Sequence, residues 1–408
     1  MAGLRSRFTL LENSRFRLLF LATAASSLGN WLAVIALQVD VYDRTHSAWW
    51  VGALLIANIL PAVFIGLLLG PLVDRLSRKR LMIASDLGRL AVFALLPFAS
   101  SAAEVVVLAV VAGIGNAFFR PAVLAGLPNL VAADELGNAN ALLQLVEWTA
   151  TAFGPLIGGA IVAASGPNLA YVVNAVTFGI SASLVAWIPG KLLQSDRPIG
   201  RGRWSDLAEG YSVVMHSRAL VCVLVVWSIV MSAFGIVNVA EVFLARESFS
   251  AGDFGFGLLW AASGVGLVIG GLTAGPLINR SLGAAYVRFL AIFGVGLACT
   301  AVSPNVWVGA AAMVLFGFGN GGAIVANITL VQRAAPDRVR GRAFTLLMSV
   351  NYAFLGLSFL LAGPLTNAFG ARWAYLVAAA TVLGAAGVAV PFTRGIEVDL
   401  APASSHGA

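Results

Sequence analysis

Charge is what this chain has least of: Asp, Glu, Lys and Arg together make up 11% of its 408 residues, less than half the roughly 25% of soluble domains. That scarcity excludes an ordinary water-soluble globular protein. Cysteine and histidine are scarcer still, with 2 and 3 residues. Cys222 and Cys299 fall in different apolar segments, so both read as small buried residues and not as a disulfide or a metal pair. His46, His216 and His406 fall in loops or the tail, which leaves no intramembrane imidazole to relay protons or bind metal. No GxxxxGK(S/T) phosphate loop occurs, and no nucleophile, metal or triad constellation reads as an enzyme. No metal and no cofactor are expected.

What is present is apolar. Hydrophobic residues make up 60% of the chain and the mean hydropathy is +0.92, which places most of it in lipid. About twelve stretches of roughly 20 apolar residues can be counted, from about 16–39 to about 373–392. Backbone polar groups in lipid must be satisfied within their own segment, so these are helices. An even number puts both termini on one side. Arg5, Arg7, Arg15, Arg17, Arg78, Lys79, Arg80, Lys191, Arg218, Arg333 and Arg338 share that side, whereas the other keeps only Arg44, Arg246 and Arg372. The positive side is cytoplasmic, so the expected location is the inner (plasma) membrane with both termini inside. The net charge of +7 therefore serves topology, and no nucleic-acid partner is expected. Trp49, Trp50, Trp187, Trp307 and Trp373 fall at helix ends, as an interfacial aromatic belt requires. The N-terminus reads as a cytoplasmic leader and not a cleaved signal.

The chain is also duplicated. Gly70-Pro71-Leu72-Val73-Asp74-Arg75 returns as Gly275-Pro276-Leu277-Ile278-Asn279-Arg280, and Gly52, Leu54, Ala57, Val63, Gly66 and Leu67 return as Gly257, Leu259, Ala262, Val268, Gly271 and Leu272. Two such halves around a central site are a common transporter plan. The expected organisation is a six-helix bundle over 1–189, a cytoplasmic linker over 190–217, a second six-helix bundle over 218–394 and a disordered tail over 395–408. Gly317-Phe318-Gly319-Asn320-Gly321-Gly322 imitates a dinucleotide loop, but it lies inside an apolar segment with no preceding strand. With its first-half partner Gly113-Ile114-Gly115-Asn116 it reads as helix packing.

Gly70-Pro71-Leu72-Val73-Asp74-Arg75-Leu76-Ser77-Arg78-Lys79-Arg80 resembles the loop signature of the major facilitator superfamily. Gly154-Pro155-Leu156-Ile157-Gly158-Gly159 resembles that superfamily's antiporter motif, without its earlier glycine, and Pro336-Asp337-Arg338-Val339-Arg340-Gly341-Arg342 resembles its second-half loop. Phe119-Arg120-Pro121-Ala122 and Asn174-Ala175-Val176-Thr177-Phe178 look most like the macrolide-efflux and enterobactin-exporter branch. The resemblance implies an all-α membrane protein of two pseudo-symmetric bundles that rock about a midplane site. It implies a gating latch of Gly70, Asp74, Arg75, Arg78 and Lys79, with Asp74 against a helix N-terminus; the basic residues equally suit topology and lipid phosphate. Gly154, Pro155, Gly158 and Gly159 would form a pliable hinge, or only close helix packing. Ala109 stands where wider drug antiporters carry an arginine, so another group must carry any coupling proton.

Ionisable groups inside the membrane are functional suspects. At about 1.5 Å per residue, Arg120 and Glu147 reach the same depth on the fourth and fifth segments. A pair is expected there, with Asp86 and Arg89 as its extension, the latter two mainly structural. Glu147 is either a proton carrier or Arg120's fixed partner. Asp40 and Glu241, near outer helix ends, either guard the mouth or simply reach interfacial water. The family's helix arrangement gives Asn30, Trp31, Asn116 and Trp148 as first-half cavity candidates. In the second half it gives Trp227, Asn238, Asn320, Asn327, Asn351 and Tyr352. Such a wall is expected to be mostly apolar with a few amides, which suits an amphipathic solute. The expected function is proton-coupled export of an amphipathic small molecule, drug-like or siderophore-like, by a monomer. Uptake or lysophospholipid flipping on the same scaffold, or a membrane sensor without turnover, are the alternatives.

Overall fold

The computed structural model describes residues 9–64, 76–132, 135–193, 211–335 and 340–394. The segment with Gly70, Asp74 and Arg75, most of the 190–217 linker and the 395–408 tail lie outside the described residues. Among those described, the regular structure is helical. In chain order the long helices are α1 (Ser14–Thr45), α2 (Ala48–Phe64), α3 (Arg78–Leu95), α4 (Ala102–Gly126), α5 (Leu136–Ser165) and α6 (Pro167–Trp187). They continue as α7 (Arg218–Phe243), α8 (Gly252–Arg280), α9 (Leu282–Val302), α10 (Val306–Ala334), α11 (Arg340–Phe369) and α12 (Ala371–Thr393). Of the described helices, 11 are long and apolar enough to cross a membrane, and α2 is a shorter apolar one. Trp49, Trp187, Trp307 and Trp373 are exposed at helix ends.

Short polar caps start these helices. Asn13 Oδ1 accepts from the Arg15 and Phe16 amides at 3.1 and 3.3 Å, and its Nδ2 donates to Leu130 O at 2.9 Å. Ser77, Ser101, Ser217, Ser281 and Asn305 cap α3, α4, α7, α9 and α10 in the same way. Each satisfies amides that a helix start leaves orphaned. Gly166 and Gly370, at φ 73° and 82°, turn α5 into α6 and α11 into α12. Only glycine adopts that left-handed backbone without strain.

The chain divides into two compact units, Met1–Arg201 with Gly252–Ala261, and Gly202–Ala251 with Ala262–Ala408. In the first, α1 packs on α5 and α6, α3 on α4 and α6, and α2 on α4. In the second, α7 packs on α11 and α12, and α9 on α10 and α12, which repeats the first pattern. Lipid tails are as apolar as leucine, so helices gain from backbones that approach closely. A Cβ on Gly317 would lie 2.0 Å from Ser263 O, and one on Gly321 2.1 Å from Leu267 O. From the other side, Gly266 and Gly270 would meet Val314 O and Phe318 O at 2.1 and 2.0 Å. Gly317 and Gly321 of the imitation dinucleotide motif are thus one side of the α8–α10 seam, while Gly319 and Gly322 face Phe289 and Phe293 of α9. In the first unit a Cβ on Gly113 would lie 2.6 Å from Asn58 O, which is the same seam between α2 and α4.

The glycine-proline run of α5 packs in the same manner. Added Cβ atoms on Gly154 and Gly158 would lie 2.6 Å from Trp31 Cβ and 2.5 Å from Leu32 O on α1. Gly159 faces the first turns of α8, within the same unit, at 2.6 Å from Asp253 O. Of the cysteines, Cys222 is buried as expected but Cys299 is exposed. The expectation of burial fails there because α9 turns this face outward, next to exposed Val295 and Val302.

Candidate functional site

Within the first unit, α1 to α5 enclose a cavity of about 610 Å³. Helix α1 contributes a stripe at helical spacing: Thr23, Ser26, Ser27, Asn30, Trp31, Val34 and Leu37. Asn58 enters from α2, Arg89 and Phe93 from α3, Asn116, Phe119 and Arg120 from α4, and Asn140, Gln144 and Glu147 from α5. The wall is mostly apolar in area, as expected, but carries more hydrogen-bonding groups than a few amides. Three hydroxyls, five amides, two guanidinium groups and a carboxylate share it with aromatic and aliphatic surface. Such a cavity can hold a solute with polar groups on one side and an apolar body on the other.

Two ion pairs stand in this wall and differ in freedom. Arg120 Nη1 lies 3.5 Å from Glu147 Oε2, with the Arg120 side chain 60% exposed and that of Glu147 21%. Ser27 Oγ donates to Glu147 Oε1 at 2.7 Å. This carboxylate is therefore held by one hydroxyl and a loose, wettable cation, and an exposed pair of that length contributes little stability. Arg89 and Asp86 are the opposite. Both are buried, the Arg89 Nη2 group bonds Asp86 Oδ1, and Nη1 donates to Asn116 Oδ1 at 2.7 Å. The guanidinium lies over the Phe178 and Phe119 rings at 4.2 and 4.8 Å, a favourable cation–π arrangement. Its stem runs beneath Gly115, where a Cβ would be 2.7 Å from Arg89 Cγ. Asn116 thus joins the fixed pair to the cavity that holds the loose one.

The other intramembrane acids sit apart from this cluster. Asp40 Oδ1 accepts from Arg44 Nε at 2.7 Å and Oδ2 from the Tyr171 hydroxyl at 2.9 Å. Arg44 Nη1 also donates to Ala99 O at 2.9 Å. Glu241 belongs to the second unit and is 2% exposed. The reading that both acids reach interfacial water is corrected here, since Asp40 is buried as well. Tyr171 of α6 and Tyr375 of α12 are both fully buried where these helices pack on α1 and α7.

Of the expected cavity residues, Asn30, Trp31 and Asn116 line this space and Trp148 does not. Trp148 follows Glu147 directly, and about 100° of helical rotation turns it off the cavity face. In the second unit the amides are engaged locally. Asn351 Oδ1 accepts from Ser228 Oγ at 3.2 Å, Asn327 Oδ1 from the Tyr286 hydroxyl at 3.2 Å, and Asn238 Nδ2 donates to Phe234 O at 2.7 Å. Trp227 and Asn320 are buried, and Tyr352 is exposed. Of the latch, Arg78 Nη1 donates to Ala125 O and Leu193 O at 2.8 and 3.1 Å, and Lys79 Nζ to Ala186 O and Ile188 O at 2.6 and 2.7 Å. Cations on the last carbonyls of α4 and α6 suit the negative ends of those helices. Sequence reading missed Ser27, Asn58, Asn140 and Gln144, although the period of Thr23, Ser27 and Asn30 on an otherwise apolar helix was a usable signal.

The sequence matches the transmembrane secretion effector family over residues 5–406, and the chain belongs to that family, a branch of the major facilitator superfamily. The multidrug efflux pump Tap of Mycolicibacterium fortuitum is 27% identical over 402 residues, covering 94% of this chain and 97% of the relative. The enterobactin exporter EntS of Escherichia coli O1:K1 / APEC is 27% identical over 343 residues, covering 80% and 79%. Among solved structures, the nucleoside transporter NupG superposes with a TM-score of 0.76 at 13% identity, over 93% of this chain and 99% of that one. An inward-facing bacterial homologue of the iron transporter ferroportin gives 0.73 at 17%, over 93% and 98%. The chain therefore has the all-α major facilitator fold and is a membrane transporter.

Proposed function

We propose that this member of the secretion effector family is a secondary-active exporter that exchanges protons for an amphipathic small molecule by alternating access. The observation that carries the reading is the loose Arg120–Glu147 pair in the wall of the first-unit cavity. A carboxylate with one firm hydrogen bond and one wettable cation can exchange Arg120 for a proton or for a solute's polar group. The fixed Arg89–Asp86 pair keeps that wall in shape while this happens. Efflux relatives with drug and siderophore cargo support outward transport of a solute with both polar and apolar faces. The same reading places both termini in the cytoplasm, treats 190–217 as the linker between bundles, and takes the monomer as the working unit. Asp74, Arg75 and Gly70 complete the cytoplasmic latch to which Arg78 and Lys79 belong.

The test is transport in inverted membrane vesicles under an imposed pH gradient, with radiolabelled enterobactin and a fluorescent amphipathic dye as probes. Accumulation that Glu147→Gln reduces by roughly 100-fold, the lower end for a lost proton-transfer group, is the expected result. Accumulation indifferent to the gradient, or binding of both probes without movement, would refute the proposal and favour a facilitated carrier or a sensor.

A further inference from the structure

The duplication places an acid facing a tyrosine in each unit, and the two are partnered differently. Asp40-Val41-Tyr42 on α1 corresponds to Glu241-Val242-Phe243 on α7, and Tyr171 and Tyr375 each follow the matching glycine turns at Gly166 and Gly370. In the first unit Arg44, one turn beyond Asp40, neutralises the acid, and Tyr171 donates to it. In the second unit the position corresponding to Arg44 is Ala245, fully buried. Glu241 Oε1 and the Tyr375 hydroxyl are both buried without a hydrogen-bond partner among the described residues. Helix α12 packs on α7 as α6 packs on α1, so Tyr375 holds the place beside Glu241 that Tyr171 holds beside Asp40.

The charged groups around Glu241 do not compensate it. On α12, Arg372 donates to Ala301 O at 2.7 Å and Ser303 O at 2.8 Å and lies over the Phe249 ring at 5.1 Å. In the π-helical turn Leu244–Ser248 that follows α7, Arg246 is half-buried and Glu247 exposed, and each has interactions of its own. The basic residues of α10 and α11, Arg333, Arg340 and Arg342, belong to the opposite helix ends. A carboxylate with neither counter-ion nor donor is not a stable occupant of such a place, whereas a neutral carboxylic acid is.

We propose that Glu241, with Tyr375 beside it, is a proton-binding site of the second unit: it holds a proton while α7 and α12 are closed over it and releases the proton to water when they part. The balance is simple. One proton leaves the carboxylic acid for water, and the carboxylate so formed must be hydrated or meet the Tyr375 hydroxyl as a donor, which is the arrangement already made at Asp40. That this proton is one the transport cycle moves rests on the exporter reading; that Glu241 binds it does not.

Infrared difference spectroscopy of the full-length protein in lipid nanodiscs, stepped between acidic and alkaline buffer, reads the carbonyl stretch of protonated carboxylic acids directly, with protons as the only probe. A band present at neutral pH, lost in Glu241→Gln, retained in Glu147→Gln and shifted in Tyr375→Phe is expected. Ala245→Arg restores the cation found in the first unit, and should remove the band while leaving Glu241 in place. A neutral-pH spectrum unchanged by Glu241→Gln and by Ala245→Arg would overturn the assignment, and either variant suffices if the other fails to fold. A Glu241 band in a protein that moves neither probe against a pH gradient would keep this site and refute the exporter reading.

Discussion

Two copies of one helical plan carry opposite cores. Gly115 of α4 sits over Ser85 and Arg89 of α3, and Gly319 of α10 sits over Phe289 and Phe293 of α9, so Phe293 occupies the place of Arg89 and Leu290 that of Asp86. The first unit there holds a buried ion pair, an amide and a way into the cavity. The second holds Phe293 edge-on to Phe316 at 4.8 Å, with Phe289 against Phe318 at 5.9 Å. Aligning Gly154-Pro155-Leu156 with Gly363-Pro364-Leu365 likewise puts Gly356 where Glu147 stands. The plan tolerates either core because each is self-consistent: a charge with its counter-charge and donors, or interlocking rings in place of the charges. What the first unit gains by the ionic version is chemistry, and the site follows it.

That equivalence can be broken first at the buried pair. Arg89→Leu leaves buried Asp86 without its cation, so that it must either stay charged at a cost or take up a proton, and the expected loss is about 3–5 kcal/mol, the usual effect of breaking a buried pair. The double variant Arg89→Phe with Asp86→Leu copies the second unit and should recover most of that loss, since apolar replacement of a whole pair is often neutral. Thermal unfolding of both proteins in the same detergent checks this, and a double variant no more stable than Arg89→Leu would show that the two cores are not interchangeable.

Glycine contacts sharpen the comparison at a smaller scale. Gly319→Ala places a methyl 2.3 Å from the Phe293 backbone nitrogen, whereas Gly115→Ala meets the flexible Arg89 stem at 2.7 Å. Overpacking of about 1–3 kcal/mol is expected for Gly319→Ala, with a smaller loss for Gly115→Ala because the stem can bend. The same unfolding assay ranks them, and the reverse order would contradict the assigned contacts. The smallest effect is expected at Lys79. Its ammonium holds the end of α6, while Gly283, its counterpart, brings α9 directly against Thr393 O, 3.0 Å from an added Cβ. Lys79→Met should lose about 0.5–1.5 kcal/mol, the net range for an ordinary intramolecular hydrogen bond, since the contact is exposed, and speed hydrogen exchange at 186–188 without changing the rest of α6.

Much of this fold was legible in the sequence because lipid imposes it. Segment lengths, the scarcity of charge and the repeated Gly-Pro phrases left few alternatives to paired helical bundles. The meeting of Arg120 with Glu147 followed from helical rise alone. Direction around a helix was harder: Trp148 adjoins Glu147 yet faces away from the cavity, and a membrane helix tolerates tryptophan on either side. For the second-unit amides Asn351 and Asn327, a sequence does not display Ser228 and Tyr286 as their partners. Asp40 and Glu241 looked alike as phrases, and the difference one turn on, Arg44 against Ala245, gained its meaning only once the packing showed an acid with two partners and one whose Oε1 has none.

Proton release on solute binding tests the central assignment most directly. Purified protein in weakly buffered solution is titrated with enterobactin or with the amphipathic dye while a pH indicator is followed. The wild-type protein should release protons in proportion to the solute bound, and Glu147→Gln should bind with little or no release. Undiminished release from Glu147→Gln would place the exchange elsewhere and contradict the account.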